Sequence, residues 1–235
     1  MISSTNNEYI KQLTKLKDRK YRLETREFLV EGPHLVEEAI HMGRCKMVLT
    51  VNEFDDFSVP FTVVSKEVMK KLSDVDTPPG VIGLCTLEND AKITDKVLLL
   101  DHLQDPGNLG TIIRSAIAFG FDTIVAEGSV DLYNPKVVRS TQGGIFKINF
   151  LEQNLITFIK NNPSFEVIAS IVDGKSTLEE TKSSKKIALI IGNEASGIRK
   201  EVLDLSHTFV TIPMKNTESL NAGVAASILM YHFSQ

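Results

Sequence analysis

Short apolar runs and amphipathic segments alternate along the first third of the chain. The apolar runs cover residues 28–31, 46–51, 61–64 and 81–87. Between them, one helix is predicted to begin near Pro33, and a second, short helix is predicted after Ser65, which can cap it. The loop 74–80 contains paired prolines and a glycine, which forbid regular structure. This order of elements predicts a small α/β domain.

The remaining two thirds of the chain repeat a rhythm of strand and helix. Apolar runs cover 97–100, 123–126, 145–150, 167–172, 187–191 and 209–212, and helices are predicted over 108–119, 154–161 and 221–233. A further helix begins at Pro135, with Asn134 as its N-cap. Continuously apolar strands are typical of a parallel sheet that is covered on both faces. In such sheets, ligands bind beyond the carboxyl ends of the strands.

Length and polarity divide the chain into two domains. Its 235 residues correspond to about 1.6 domains of roughly 150 residues each. Segment 88–95 is polar and lacks an apolar period, so we place a linker there. The predicted domains are therefore residues 1–90 and residues 95–235.

The formal net charge of −4 is unevenly distributed. Residues 9–26 contain seven Lys or Arg against two Asp or Glu, so this segment carries +5 and the remainder carries −9. Four apolar residues recur in it at helical spacing, namely Tyr9, Ile10, Leu13 and Leu16. They predict one short basic amphipathic helix. Its cations form either a solvated surface or a patch that contacts the phosphates of a nucleic acid.

Composition and motifs exclude several classes of protein. Hydrophobic residues make up 42% and charged residues 24%, which excludes disordered, collagenous and coiled-coil classes. The apolar runs are too short to span a membrane and no export signal is visible, so we expect a cytoplasmic protein. Cys45 and Cys85 lack metal-site spacing and are expected to be buried free thiols. No metal-ligand cluster, P-loop, Rossmann fingerprint or serine-hydrolase motif occurs in the sequence.

Three polar loops follow apolar runs, and the first of them covers residues 105–114. It contains Asn108, a candidate helix cap, and Gly110, which allows another backbone to approach closely. Arg114 extends from a largely apolar helix, so its charge is expected to have a specific partner. Without further context, capping by Asn108 and a surface position for Arg114 would explain this loop.

The second and third loops follow the runs at 187–191 and 209–212. In the second loop, glycines at both ends of a polar turn expose backbone amides and carbonyls, although they could also serve only to form the turn. The third loop leads into an Ala-rich helix that Ser219 or Asn221 can cap. Each loop alone is a weak signal, but the order and spacing of the three are specific.

Together, the three loops resemble the three motifs of the SpoU, or TrmH-type, RNA ribose methyltransferases of the SPOUT superfamily. The motifs in this sequence are Asn108-x-Gly110-x-x-x-Arg114, Gly192-Asn-Glu-x-x-Gly197, and Ile212-Pro-Met followed by Ser219-Leu-Asn221. The resemblance covers residues 95–235, with Asn-Ala-Gly where many members have Asn-Val-Ser. Residues 28–39 look like the family's N-terminal substrate-binding domain, which is L30e-like.

The resemblance implies an α/β protein with a C-terminal parallel-sheet SPOUT fold and a trefoil knot, a rare exception among folds. A small L30e-like α/β domain precedes it. The resemblance also implies that S-adenosyl-L-methionine is the cofactor, held by backbone groups of the knot loops, and that no metal is required. Carried onto this sequence, the cofactor contacts fall at Gly192, Ile212 and Leu220, with Ser170 and Asn221 nearby.

The implied reaction is methyl transfer to a ribose 2′-hydroxyl of RNA, with ribosomal RNA favoured over transfer RNA. Arg114 is the family's proposed catalytic residue. Because a guanidinium stays protonated under nearly all conditions, it acts either as an unusual base or as a cation that positions a phosphate and stabilises the alkoxide. Asn108, Glu194 and Ser219 would orient Arg114 or the ribose. Family members commonly offer this arginine across a dimer interface, so a homodimer is expected.

Three alternatives stay open from the sequence. The substrate could be transfer RNA, the chain could be a catalytically silent RNA-binding module, or the methyl group could go to a base. The presence of Arg114, Asn193 and Glu194 favours an active enzyme over a silent module. The identity of the modified nucleotide depends on surface shape and loop contacts that a sequence does not reveal.

Overall fold

The computed structural model describes residues 1–87, 92–172, 176–181 and 186–235. They form two compact units. The first contains Met1–Glu88 and Tyr133–Phe146, and the second contains Asn89–Leu132 and Lys147–Gln235. The first half of the predicted linker, residues 88–91, lies outside the described residues. Among the described helices, none is both long and apolar enough to cross a membrane.

The helices and strands follow the predicted order. The described residues form nine α-helices: α1 (Glu8–Lys15), α2 (Arg19–Thr25), α3 (Pro33–His41), α4 (Lys66–Leu72), α5 (Pro106–Phe119), α6 (Pro135–Ser140), α7 (Leu155–Asn161), α8 (Lys200–Leu203) and α9 (Ala222–Ser234). They also form eleven β-strands: β1 (Glu27–Glu31), β2 (Cys45–Thr50), β3 (Phe61–Val63), β4 (Val81–Thr86), β5 (Lys96–Asp101), β6 (Thr123–Glu127), β7 (Asn149–Glu152), β8 (Glu166–Ser170), β9 (Ser176–Thr177), β10 (Ile187–Ile191) and β11 (Thr208–Thr211).

The first unit is built on a mixed four-stranded sheet in the order β1-β4-β2-β3. Strand β4 runs antiparallel to β1 and β2, and β3 runs parallel to β2. On β1, Phe28 packs against two aromatic rings from the later part of the chain. Its ring centroid lies 4.8 Å from that of Tyr133 and 6.2 Å from that of Phe146. This aromatic packing helps to explain why residues 133–146 belong to the first unit although they follow β6 in sequence.

The basic segment 9–26 forms two helices rather than the single predicted one. The apolar seam is confirmed, because Ile10, Leu13 and Leu16 are buried against the sheet and α4. Asp18 interrupts the helix, since its carboxylate accepts a hydrogen bond from Lys20 N–H and so begins α2 as its N-cap. One of the seven cations, Arg22, is only 4% exposed. It donates from Nη1 to the carbonyls of residues 16 and 17 at the end of α1.

The second unit is built on a seven-stranded sheet in the order β7-β6-β5-β10-β8-β11-β9. All of its neighbouring strands run parallel, as the continuously apolar runs predicted. Residues 97–100 and 187–190 of the central strands β5 and β10 are completely buried. A parallel sheet brings the carboxyl ends of its strands to one edge, and the three polar loops begin at that edge.

Two further predictions about local structure are wrong. Helix α5 begins at Pro106, and its N-cap is Asp105, whose Oδ1 accepts a hydrogen bond from Asn108 N–H. Asp105, followed by Pro106, therefore begins the helix, and Asn108 does not cap it. The predicted strand 145–150 is divided, because Gly144–Phe146 form a 3-10 turn and only β7 pairs with the sheet. Gln142 and Gly143, both with positive φ, redirect the chain just before that turn.

We predict that Arg22→Ala destabilises the first unit by about 1–3 kcal/mol, because it leaves two carbonyls at the end of α1 without their donor. Urea unfolding monitored by circular dichroism measures this change. Lys70→Ala, which removes an exposed cation from α4, is the matched control and should change stability by less than about 0.5 kcal/mol. Equal stability of the two variants would contradict the structural role of Arg22.

Candidate functional site

A cavity of ≈ 810 Å³ lies in the second unit at the carboxyl ends of β8, β10 and β11. Its walls come from three segments, within residues 170–172, 191–198 and 211–225, together with Leu203. All five predicted cofactor residues line it: Ser170, Gly192, Ile212, Leu220 and Asn221. Glu194 and Ser219 also line it. A second cavity of ≈ 620 Å³, in the first unit beside α3, is lined by none of the predicted site residues.

The loop after β10 is closed into a tight turn by Asn193. Its backbone N–H and C=O exchange hydrogen bonds of 3.0 Å with Gly197, and its side-chain Oδ1 accepts from the backbone N–H groups of residues 195 and 196. A Cβ on Gly192 would overlap the Gly197 carbonyl carbon, and Gly197 itself has a φ of 70°. Both glycines are therefore required for the turn, and the turn forms one wall of the cavity.

Glu194 connects this turn to the loop after β5. Its carboxylate accepts hydrogen bonds from Asp105 N–H at 3.0 Å, Gln104 N–H at 3.2 Å and Asn108 Nδ2 at 3.0 Å. Partial burial raises the pKa of Glu194, but these donors outweigh that effect and hold its pKa below the usual value. Glu194 is therefore an ionised acceptor near neutral pH, with both oxygens already engaged.

Asn108 and Asn221 extend the same network to the third loop. Asn108 is 7% exposed, and its Oδ1 accepts a hydrogen bond of 2.8 Å from Asn221 Nδ2. Asn221 in turn caps α9, since its Oδ1 accepts from the N–H groups of residues 223 and 224. Of the two predicted caps for this helix, Asn221 is the one observed. Three side chains, one from each motif, are thus joined directly, and Asn108 acts as the connector between the other two.

A charged network that the sequence did not reveal lies below these loops. Asp101, at the end of β5, is 0% exposed, and it accepts hydrogen bonds from Arg199 N–H and Arg199 Nε at 2.8 and 2.7 Å. The Arg199 Nη2 also donates to Glu127 at the end of β6, at 2.7 Å. Burial raises the pKa of Glu127, but Arg199 and two further donors outweigh it, so the net shift is downward. An aspartate that ends an apolar strand is the one sequence signal that could have predicted this network.

Arg114 and Ser219 have different positions relative to the cavity. Ser219 lines the cavity, and its carbonyl accepts a hydrogen bond from Thr217 Oγ1 at 3.0 Å. Arg114 is exposed on α5 and is not among the described residues that line the cavity. It lies six residues beyond Asn108, which rotates it to another side of the helix. A single chain therefore brings together the other predicted residues but does not bring Arg114 to them.

Comparison with known families agrees with this geometry. The family model described as the SpoU rRNA Methylase family matches residues 95–231. This chain belongs to the SpoU family. A second model, described as an MRM3-like substrate binding domain, matches residues 7–83. The predicted resemblance is therefore confirmed for both parts of the chain.

Several SpoU relatives match over most of their length. A 23S rRNA (guanosine(2553)-2′-O)-methyltransferase from Bacillus subtilis, RlmP, is 34% identical, and the alignment covers 98% of both chains. The human mitochondrial rRNA methyltransferase 3 is 24% identical over 93% of this chain and 70% of its own. The two alignments therefore span both of the matched parts of this chain, residues 7–83 and 95–231.

Solved structures of RNA methyltransferases have the same fold. A crystal structure of an RNA 2′-O ribose methyltransferase matches with a TM-score of 0.82 and 31% identity, covering 98% of this chain and 96% of its own. An AdoMet-bound rRNA methyltransferase from Sinorhizobium meliloti matches with a TM-score of 0.87 and 27% identity, over 98% and 95% of the two chains. The predicted α/β fold, a parallel-sheet domain preceded by a small domain, is confirmed.

We predict that Glu194→Gln lowers the stability of the second unit at pH 7 by about 1 kcal/mol, because its partly exposed hydrogen bonds lose their charge. Because the pKa of Glu194 is lowered, its carboxylate contributes its full stabilisation of the folded unit above the usual pKa of 4.5. This contribution is lost as the pH falls through the lowered pKa. The variant should therefore lose less stability on acidification than the parent protein does. Urea unfolding at a series of pH values measures this difference.

Asp204→Asn is the control for this measurement, because Asp204 is exposed at the end of α8 and forms no ion pair within the described ranges of the chain. It should retain the acid sensitivity of the parent protein. The same pH dependence in Glu194→Gln and in the parent protein would show that Glu194 does not hold the turn.

Proposed function

We propose that this SpoU protein is an S-adenosylmethionine-dependent 2′-O-ribose methyltransferase that acts on ribosomal RNA. The observation that carries the proposal is the direct link Glu194–Asn108–Asn221, which joins residues of all three motifs beside one cavity. Similarity over 98% of both chains to a 23S rRNA 2′-O-methyltransferase supports ribosomal RNA as the substrate class. The compartment expected for the enzyme is then the one that holds ribosomes, the cytoplasm.

The cavity suits S-adenosylmethionine in size and in chemistry. Its ≈ 810 Å³ lie within the roughly 300–1,000 Å³ that small-molecule pockets enclose. Ile212 and Leu220 offer apolar walls for an adenine ring, and the backbone around Gly192 offers hydrogen-bonding groups without a side chain in the way. Ser170 and Asn221 also line the cavity and offer further polar contacts. When bound, the cofactor supplies a sulfonium methyl group, so no metal is needed to activate the leaving group.

The chain's own residues mainly provide alignment. Glu194 holds the Asn108 amide and the backbone of residues 104 and 105 in place, which keeps the cavity wall rigid before substrate binds. Because both of its oxygens are engaged and its pKa is lowered, Glu194 is a positioning residue and not the proton acceptor. Ser219 lines the cavity, and in this proposal it would contact the ribose.

Arg114 is proposed to complete the site of a second copy of the chain. Its guanidinium is exposed on α5 and makes no ion pair with any residue that the structure describes. In the site of the second copy, the guanidinium would bind a phosphate of the target nucleotide and stabilise negative charge on the attacking ribose oxygen. This electrostatic role does not require a guanidinium to lose its proton, which it does only in exceptional surroundings.

An apolar stripe on α9 supports the homodimer that this role requires. Val224, Ile228 and Tyr231 lie at helical spacing and are 45%, 36% and 57% exposed. Helix α9 packs against α5, which carries Arg114. A second copy that covers the stripe by two-fold symmetry would bury this apolar surface and bring its own α5 close.

We also propose the two further features that the resemblance implied. One is the trefoil knot, supported by the position of β10 between β5 and β8. The other is the division of labour between residues 1–90, which would bind RNA, and residues 95–235, which would transfer the methyl group. The substrate-binding match over residues 7–83 supports this division.

We predict that the purified protein transfers labelled methyl groups from S-adenosylmethionine to ribosomal RNA. After alkaline hydrolysis the label should remain in a dinucleotide, because a 2′-O-methyl group removes the internal nucleophile of the cleavage reaction. Transfer RNA tested in parallel should take up at least about tenfold less label. Label in mononucleotides would indicate base methylation, and the absence of cofactor binding by calorimetry would indicate a silent RNA-binding module.

We predict that a heterodimer with Arg114→Ala in one chain and Gly192→Ala in the other retains about half of the parent activity. Each homodimer of either variant should be inactive, since every site lacks either the arginine or an intact cavity. In the heterodimer, the chain with the intact cavity receives Arg114 from its partner, so one of two sites is complete. Two affinity tags allow the heterodimer to be purified. An inactive heterodimer would show that Arg114 acts within its own chain.

A further inference from the structure

The basic segment 9–26 contains one aromatic ring between two lysines. The Lys15 Nζ lies 5.3 Å from the centroid of the Tyr21 ring, and the Lys20 Nζ lies 5.9 Å from it. Lys15 ends α1, and the other two residues lie in the first turn of α2. We call Lys15, Lys20 and Tyr21 the Tyr21 patch. It lies entirely within the first unit.

Several other cations of this segment are committed to contacts within the chain. Arg22 is buried under the carbonyls that end α1, and Lys17 donates to Ser73 O and pairs with Asp74 at 3.2 Å. Lys11 pairs with Glu8 at 2.8 Å. Arg26 donates to a backbone carbonyl as well. The contacts of Arg22, Lys17 and Arg26 hold the helices and loops of the unit in place, whereas the exposed Lys11–Glu8 pair contributes little.

The two lysines of the Tyr21 patch are much less committed. Lys15 forms no ion pair within the described ranges of the chain. Lys20 is 70% exposed and lies 3.9 Å from Glu24, a distance at which an exposed pair contributes little. Two exposed cations of the segment thus lie beside a partly exposed aromatic ring. A ring with flanking cations is suited to a ligand that has both flat rings and negative charges.

We propose that the Tyr21 patch binds single-stranded RNA, with one unpaired nucleobase stacked on Tyr21 and the neighbouring phosphates bound by Lys15 and Lys20. Stacking on a nucleobase is stronger than an exposed cation–π contact, so a base displaces the lysines from the ring and leaves them free for phosphates. An unpaired segment is required, because bases within a duplex do not expose their faces. The proposal rests on the proposed function, since it gives the RNA substrate a place to dock.

The charge balance of the chain favours RNA as the partner. Residues 9–26 carry +5 in a chain of net charge −4, so the rest of the molecule repels a polyanion. RNA would therefore be held over a limited surface. Stacking on Tyr21 does not depend on which base is present, so the patch contributes affinity rather than sequence selection.

The test uses the full-length protein and a fluorescein-labelled, unstructured 12-nucleotide RNA, with binding measured by anisotropy at several salt concentrations. Tyr21→Ala should raise the dissociation constant about 5- to 100-fold. Tyr21→Phe should bind within about twofold of the parent protein, because the ring is kept. Tyr21→Leu keeps apolar volume without an aromatic face and should bind as weakly as Tyr21→Ala, which separates stacking from loss of packing.

The lysines are tested by the salt dependence of binding. Lys15→Ala combined with Lys20→Ala should reduce the slope of the logarithm of affinity against the logarithm of salt by about 1.4, the value for two phosphate contacts on a single strand. Two controls lie in the same unit. Phe54→Ala removes an aromatic residue that is 94% exposed, and Lys70→Ala removes an exposed lysine; both should bind like the parent protein.

Methyl transfer to ribosomal RNA distinguishes failure of this proposal from failure of the proposed function. If the patch docks the substrate, Tyr21→Ala should raise KM for RNA at least about fivefold while kcat stays within about twofold. If Tyr21→Ala binds RNA and methylates it as Phe54→Ala does, RNA binding by the Tyr21 patch is refuted. The proposed methyltransferase function is not affected by that result. An unchanged salt slope in the double lysine variant would also refute RNA binding by the Tyr21 patch. Absence of transfer by the parent protein would instead refute the proposed function.

Discussion

The buried carboxylate of Asp101 is the constraint on which the catalytic edge of the second unit depends. A carboxylate excluded from water is costly unless a cation and hydrogen bonds satisfy it, and Arg199 supplies both through its backbone and its side chain. Because Arg199 directly follows the turn 192–198, this pairing fixes where the turn can lie. The same guanidinium holds Glu127. One residue thereby ties the turn to the ends of β5 and β6.

The hydrogen bonds of Glu194, Asn108 and Asn221 extend this fixed arrangement from the ion pair to the cavity wall. Glu194 and Asn108 connect the turn to the start of α5, and Asn221 connects α5 to the start of α9. Each of these side chains is already engaged, so none needs to reorganise when a small molecule enters. Among the described residues that line the cavity, none is a lysine or an arginine. The proposed composite site between two chains would supply such a cation, and activity would then require assembly of the dimer.

The sequence predicted features that depend on local pattern and missed those that depend on distant partners. Buried parallel strands and the caps Asn134 and Asn221 were predictable, because apolar runs and cap residues carry their signal within a few positions. The actual role of Asn108 was not, because its partners are more than 80 residues away. Arg22 was counted among the surface cations for the same reason: a charge count does not show which cation is buried.

The separation of residues 133–146 from their neighbours in sequence has a consequence for how this protein can be divided. Phe28 lies on the first strand of its unit, yet the two rings packed against it come from more than 100 residues later. A fragment ending near residue 90 would expose that strand, and the remaining piece would carry residues 133–146 without their support. A single cut in the chain therefore does not separate the two units without breaking this aromatic packing.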